Sequence, residues 1–327
     1  MQGMSGPRQV ENDLVGAEVT VPGETSGKRA RSARVREVSG REPRRIAYLF
    51  LLPALIVYTV FTIAPAVQTI WLSFFQWEGI GPKKWVGTAN YNQIYHDPLV
   101  ILAFEHSLFL LTFYAVLPII IGLFVATAIS RIPIRGSTAF RTILFLPQVV
   151  ASVAVAVTWR YVYSYGGPLN QLLSVIGLRR FAQDWLGSFT WALPSIGVIG
   201  TWTEFGLCMV LFISGVQKIP QSLYDAVRVD GAGAIREFAH VILPAIRREI
   251  AVAAMITVIG GLRGFDIVYV TTAGGPGYST AVPALEIFQH AFQLGEVGSA
   301  AAISTVLTLV IIIVAFVIAR LGEVKKI

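Results

Sequence analysis

The chain has 327 residues, 54% hydrophobic and only 14% charged, where a soluble domain carries about a quarter charged residues; with a mean hydropathy of +0.65 this excludes an ordinary soluble domain. A single cysteine, Cys208, excludes an internal disulfide, and 30 Gly and 16 Pro without a fixed period exclude collagen-like and mucin-like chains. The net charge of +7 would suggest nucleic acid in a soluble protein, but beside this much apolar sequence it has first to be mapped loop by loop.

Residues 1–45 mix Gly, Ser, Glu, Lys and Arg with no apolar period and read as a disordered cytoplasmic tail. No apolar stretch precedes Ile46, so they do not read as a cleavable signal peptide. The basic run Lys28–Arg45 suits a topogenic tail, and it is also able to touch anionic headgroups. Six weakly charged runs then follow, each long enough at about 1.5 Å per residue to cross about 30 Å of hydrocarbon. They are Ile46–Phe75, Ser107–Ser130, Thr142–Tyr163, Trp191–Val216, Ile250–Thr272 and Val297–Ala319. The expected fold is therefore all-α: a polytopic membrane protein with a six-span domain over 46–319 and a short cytoplasmic tail over 320–327. Pro53, Pro65, Pro118, Pro147 and Pro194 lie in or near these runs and are expected to kink helices, as membrane helices tolerate.

The cations alternate between connections. Twenty of the 26 fall in residues 1–45, 131–141, 217–249 and 320–327, four fall in 76–106, 164–190 and 273–296, and Arg160 and Arg263 lie inside runs. Positive charge accumulates on the cytoplasmic side, so both termini are placed there with an even number of crossings.

Enzyme chemistry finds little support. Gly23, Gly27 and Lys28 are one residue too closely spaced for a phosphate loop, and Arg29 stands where a magnesium-binding hydroxyl belongs. His96, His106, His240 and His290 are scattered without a metal-ligand spacing. Ser214 has Phe212 where a nucleophile elbow has glycine. No catalytic residue, metal site or cofactor is expected.

The strongest pattern lies in the 217–249 connection. Ser222 and Asp225 stand at nearly the spacing of a capping box, which predicts a short helix, and Asp230-Gly231 predicts its end, with Gly231 free to take a positive φ. Small residues at Ala226, Gly231, Ala232 and Gly233 keep this elbow low, suited to another protein's groove; the plainer alternative is an amphipathic connector at the membrane surface. The elbow resembles the coupling loop of bacterial ABC importer permeases, which reads E-A-A, three residues, G, nine residues, I-x-L-P. Here Asp225-Ala226-Val227, Gly231 and Val241-Ile242-Leu243-Pro244 keep the full spacing with conservative changes.

Further segments are similar to the carbohydrate-uptake branch, first-permease type, as in maltose and glycerol-3-phosphate systems. They include Trp77-Glu78-Gly79, Asn90-Tyr91 and Asp97-Pro98 in the first outer loop, then Arg141, Leu146-Pro147 and Trp159. Phe265-Asp266, Tyr269 and Gly274-Gly275-Pro276-Gly277, followed by Ala300-Ala301, complete the resemblance. Unlike the maltose-system member, this chain has no large outer domain and no extra N-terminal spans.

The resemblance implies a sugar permease that is half of a heterodimer with a second permease subunit. It also implies two cytoplasmic ATPase subunits, an extracytoplasmic solute-binding protein, and a place in the bacterial inner membrane. Coupling to the ATPase falls to Leu223, Tyr224, Asp225, Ala226, Val227, Asp230 and Gly231. The substrate path falls to Trp202, Thr203, Glu204, Leu207, Arg263, Gly264, Asp266 and Tyr269.

Ionisable groups inside a membrane are costly unless they face protein or water. Carboxylate acceptors beside aromatic faces suit sugar hydroxyls, with Trp202, Phe265 and Tyr269 as candidate faces. Glu204 and Arg263 are expected to approach one another across the path, either to bind solute or as a structural ion pair. Arg160 is expected to snorkel to the interface. Glycerol-phosphodiesters or amino sugars are alternative solutes. An ion-coupled secondary transporter is the alternative of a different class, although no internal repeat supports it.

Overall fold

The computed structural model describes residues 44–131, 136–229, 231 and 233–322. By contacts the chain divides into two units, Met1–Pro53 and Ala54–Ile327. In the first, residues 44–53 belong to the helix Arg44–Tyr58; the rest of the expected tail lies outside the described residues, as does 323–327.

Four helical stretches are long and apolar enough to cross a bilayer: Phe50–Leu72, Pro98–Ser130, Ala192–Val216 and Val297–Gly322. The third expected span is a pair of shorter helices, Thr138–Val149 and Ser152–Val162, bent by 96°. The break follows from sequence: Pro147 removes a backbone donor near the end of the first piece, and Val150 and Ala151 are extended at ψ 136° and 132°. The fifth expected span, Ile250–Thr272, is a helix Arg247–Leu262 followed by a break at residues 263–265 and a six-residue helix Asp266–Thr271. By length and composition the described residues thus supply four spans, or five with the bent pair, and the count of six is not reached.

Prolines are absorbed differently from the expected kinks. Pro65, Pro118 and Pro244 each stand two residues after a π-helical turn, Thr59–Ile63, Thr112–Val116 and Phe238–Ile242. A proline ring collides with the carbonyl four residues before it, and widening the preceding turn to i→i+5 bonding moves that carbonyl aside. The bonds Ala64 N–H to Thr59 O, Leu117 N–H to Thr112 O and Leu243 N–H to Phe238 O are of this wider kind.

The Ala192–Val216 helix is the axis of the bundle, with 14 of its 25 residues buried on several faces. Close approach there depends on glycine. A Cβ on Gly200 would meet the ring of Tyr114, one on Gly206 the backbone oxygen of Leu144, and one on Gly122 the Cβ of Cys208 at 2.8 Å. Small residues at crossings are how helices pack where lipid removes the hydrophobic drive. The outer surface carries large apolar side chains such as Phe61, Phe124, Ile313 and Phe316, as a lipid-facing wall requires.

The connections gather at two ends. Gly298 N–H donates to Trp77 O, Asn90 Nδ2 donates to the oxygens of Ser73 and Phe75, and Phe189 packs beside Gly277, joining segments 76–106, 164–190 and 273–296. At the other end Arg247 donates to Leu321 O at 2.6 Å, and Ile129 shares a buried cluster with Val216, Ile242 and Ile246. The cation-poor connections therefore share one end, and the 217–249 connection shares the other with the ends of the Pro98–Ser130 and Val297–Gly322 helices.

Among the described residues the departure from an all-helical fold is a two-stranded antiparallel ribbon in the first connection, pairing Phe75 with Trp85 and Gln76 with Lys84. That connection also holds the helix Ala89–His96, and the next helix starts at Pro98, nine residues before the expected boundary at Ser107. Asp97 caps its N-terminus, accepting from Leu99 N–H at 2.8 Å.

Candidate functional site

The expected coupling element is a helix over Gln221–Val229. Its start is not the capping box read from sequence. The helix begins at Gln221, which puts Ser222 inside the first turn, and Asp225 Oδ1 accepts from the Gln221 side-chain amide at 3.2 Å. Gly231 has φ +70°, a left-handed conformation open to glycine at little cost. Asp230 and Ala232 lie outside the described residues. After the turn, helical backbone resumes over Ala234–Glu237 and continues through the π turn to Ala245.

The element has two faces. Tyr224 and Phe238 pack against the buried cluster of Met209, Phe212, Ile242 and Ile246, which ties the elbow to the axial helix. Lys218 Nζ reaches Glu249 Oε1 at 3.3 Å across its base. Outward, Leu223, Asp225 and Ala226 are exposed and Val227 is half-buried, while Val229 and Ile235 are 87% and 84% exposed. Apolar side chains this open, on a helix fixed at its root, form a surface on which another protein can push.

The candidate path residues lie on two elements. On the axial helix, Trp202 is exposed and meets Trp159 edge to face at 5.6 Å; Thr203 returns its hydroxyl to Gly200 O at 2.9 Å; Glu204 and Leu207 are half-buried. On the other, Arg263 and Gly264 form the break between Arg247–Leu262 and Asp266–Thr271; Arg263 and Asp266 are exposed. Tyr269 stacks on Phe265 at 5.0 Å and meets Phe288 at 5.2 Å.

No ion pair or hydrogen bond joins Glu204 to Arg263 among the described residues. Asp266 has a different partner. Its Oδ2 accepts from Ser152 Oγ at 2.6 Å, so the break in one helix is bonded to the bend in another. Ser152 was not singled out by sequence, because a serine in an apolar run carries no signal until the bend exposes it. Arg160 is exposed in the last turn of Ser152–Val162, where its charge suits the helix C-terminus.

Two asparagines that build the connections are also newly apparent. Buried Asn170 donates to the oxygens of Ser164, Tyr165 and Gln183 and accepts from Trp185 Nε1 at 2.9 Å. Asn90, quoted above only for its resemblance, holds the exit of the first span while Tyr91 bonds Ser73 at 2.6 Å. The glycine run 274–277 makes a turn with φ +90° at Gly274 and +52° at Gly277, closed by Thr280 Oγ1 donating to Gly275 O.

An apolar helical bundle with one rigidly rooted, exposed elbow has the make-up of a transport subunit driven by another protein. Residues 118–323 match the family described as binding-protein-dependent transport system inner membrane component, and the chain belongs to that family, the permease components of ABC importers. A probable ABC transporter permease of Bacillus subtilis is 35% identical, covering 81% of this chain and 91% of its own. A trehalose/maltose transport permease of Thermococcus litoralis is 31% identical, covering 86% and 95%. A diacetylchitobiose uptake permease of Streptomyces coelicolor is 32% identical, covering 94% of each. Among solved structures, a bacterial ABC transporter that imports alginate shares the fold, with a TM-score of 0.72 at 24% identity over 85% of this chain and 95% of that one.

Proposed function

We propose that this chain is one of two permease subunits in a bacterial importer for a sugar or sugar-like solute, with both termini in the cytoplasm. The observation that carries the reading is the Gln221–Val229 helix, rooted in the axial helix and presenting exposed apolar residues at the cation-rich end. Relatives named for trehalose/maltose, diacetylchitobiose and lactose uptake support the solute class. A binding protein delivers solute to the cation-poor end. Two ATPases close on ATP at the other end, and their closure moves the elbow and, through Tyr224 and Phe238, the axial helix. The chain itself hydrolyses nothing; it supplies a cavity with two states whose populations the ATPases bias.

In this reading Trp202, Thr203, Glu204, Leu207, Arg263, Gly264, Asp266 and Tyr269 line the path. The Ser152–Asp266 bond holds the two interrupted helices together in the present conformation, and breaking it accompanies opening. Apart from its ABC partners and the bilayer, the chain needs no cofactor and no nucleic acid.

The sole cysteine, Cys208, is fully buried, which makes an introduced surface thiol a specific probe. Ala226→Cys in the assembled transporter is expected to cross-link to a co-purified ATPase, and addition of ATP is expected to change the yield. Absence of any ATPase cross-link from Ala226→Cys and Leu223→Cys alike would remove the coupling role.

A further inference from the structure

At the end of the bundle away from the coupling helix, segment 273–296, the Ala89–His96 helix and the start of the Pro98–Ser130 helix line a half-open cavity of about 410 Å³. Its charge is one-sided. Asp97, Glu286 and Glu296 bring three carboxyl groups and His290 one imidazole, while no Lys or Arg is among the described residues that line it; the remaining lining is neutral. Tyr278 and Leu294, both exposed, form an accessible rim.

Two of the carboxyls have partners: Asp97 caps the helix at Leu99 N–H, and Glu296 Oε2 lies 2.9 Å from His290 Nδ1. Glu286 is different. The residue is 3% exposed, and its Oε1 is buried without a hydrogen-bond partner. Buried carboxyl oxygens in native structures are rarely left without a donor, and a donor from outside the chain is the simplest supply.

We propose that this cavity binds an organic cation, an ammonium or guanidinium group, with Glu286 as its principal acceptor and Asp97 and Glu296 around it. A metal ion is disfavoured, because among the described residues no three His, Cys, Asp or Glu are grouped to hold one. The size also argues for a polyatomic guest, since a water molecule occupies about 30 Å³. An ammonium or guanidinium group carries several N–H donors, and a guanidinium fork can serve two carboxyls at once. Burial raises the pKa of Glu286, with His290 opposing and Asp97 adding, and a cation beside the carboxyl favours its ionised form.

The cation is either a lysine or arginine side chain of the docking binding protein or a free amine. The first source rests on the reading above that places this end of the molecule outside the cell. The test uses the complete transporter in lipid nanodiscs, with methylguanidinium as probe. Saturable calorimetric binding by wild type, lost in Glu286→Gln and weakened in Glu296→Gln, supports the site. If the source is the partner's side chain, Glu286→Gln also weakens docking of the binding protein by about tenfold or more, and methylguanidinium competes with docking. Binding of methylguanidinium with docking unaffected assigns the source to a free amine. Absence of saturable binding by wild type, or equal binding by Glu286→Gln, overturns the proposal. The methylguanidinium measurement reads the cavity even where no binding protein docks, so failure of the transport reading and failure of this site are distinguishable.

Discussion

Gly200 and Asn170 show how much of this fold rests on single side chains, or on the lack of one. A methyl group at Gly200 would collide with the Tyr114 ring at the crossing of two central helices. Gly200→Ala is therefore expected to lower stability by about 1–3 kcal/mol, read as a lower melting temperature of the purified protein. Asn170 is buried and joins four residues of one connection, so Asn170→Ala leaves several backbone oxygens without donors. The expected loss is on the order of 2–4 kcal/mol of local stability, seen as faster amide exchange over residues 164–185 with little change in the axial helix. For the path, Glu204→Ala is expected to cut solute uptake by about tenfold or more, since a half-buried carboxylate there has few other roles. Unchanged uptake and ATP coupling in that variant would take Glu204 out of the path. The sequence showed Glu204 and Arg263 as charges in apolar runs, but not whether they bond: pairing depends on how a broken helix turns, and Arg263 lies in the break.

The legibility of each element depended on how local its cause is. The axial helix, Ala192–Val216, matched its apolar run to within a residue: Pro194 falls in its first turn, where no backbone donor is needed, and close packing at Gly197, Gly200 and Gly206 offsets their poor helix propensity. The Gln221–Val229 helix was legible because Ser222 and Asp225 predict a short helix and Asp230-Gly231 its end, although its start shifted to Gln221. The bend at Val149–Ser152 was not legible, since Pro147 signals a local disturbance without saying whether the helix kinks, widens or turns by 96°. Pro65, Pro118 and Pro244 chose the π turn instead, which proline position alone does not foretell. At this scale the elbow is the element to test. Leu223→Asp places a charge on its exposed apolar face, and the account expects solute-stimulated ATP hydrolysis to fall several-fold or more while the permease folds and inserts normally. An equal loss of assembled permease and ATPase stimulation would instead point to a folding defect.

The molecule as a whole follows from one asymmetry, charge confined to the ends of apolar helices and unevenly shared between them. The connections with four cations meet at one end, and the 217–249 connection meets the ends of the Pro98–Ser130 and Val297–Gly322 helices at the other, so for these segments the charge tally and the three-dimensional arrangement agree. Span number was less legible, because a span broken at Arg263 and another bent at Val149 read as continuous hydropathy. The family assignment fixes the class of machine. The most direct measurement is uptake of a labelled disaccharide into proteoliposomes containing this chain with its partner permease and ATPases. The account predicts uptake that requires both ATP and the solute-binding protein and is lost when any partner is left out. Uptake by this chain alone, driven by an ion gradient and indifferent to ATP, would contradict it.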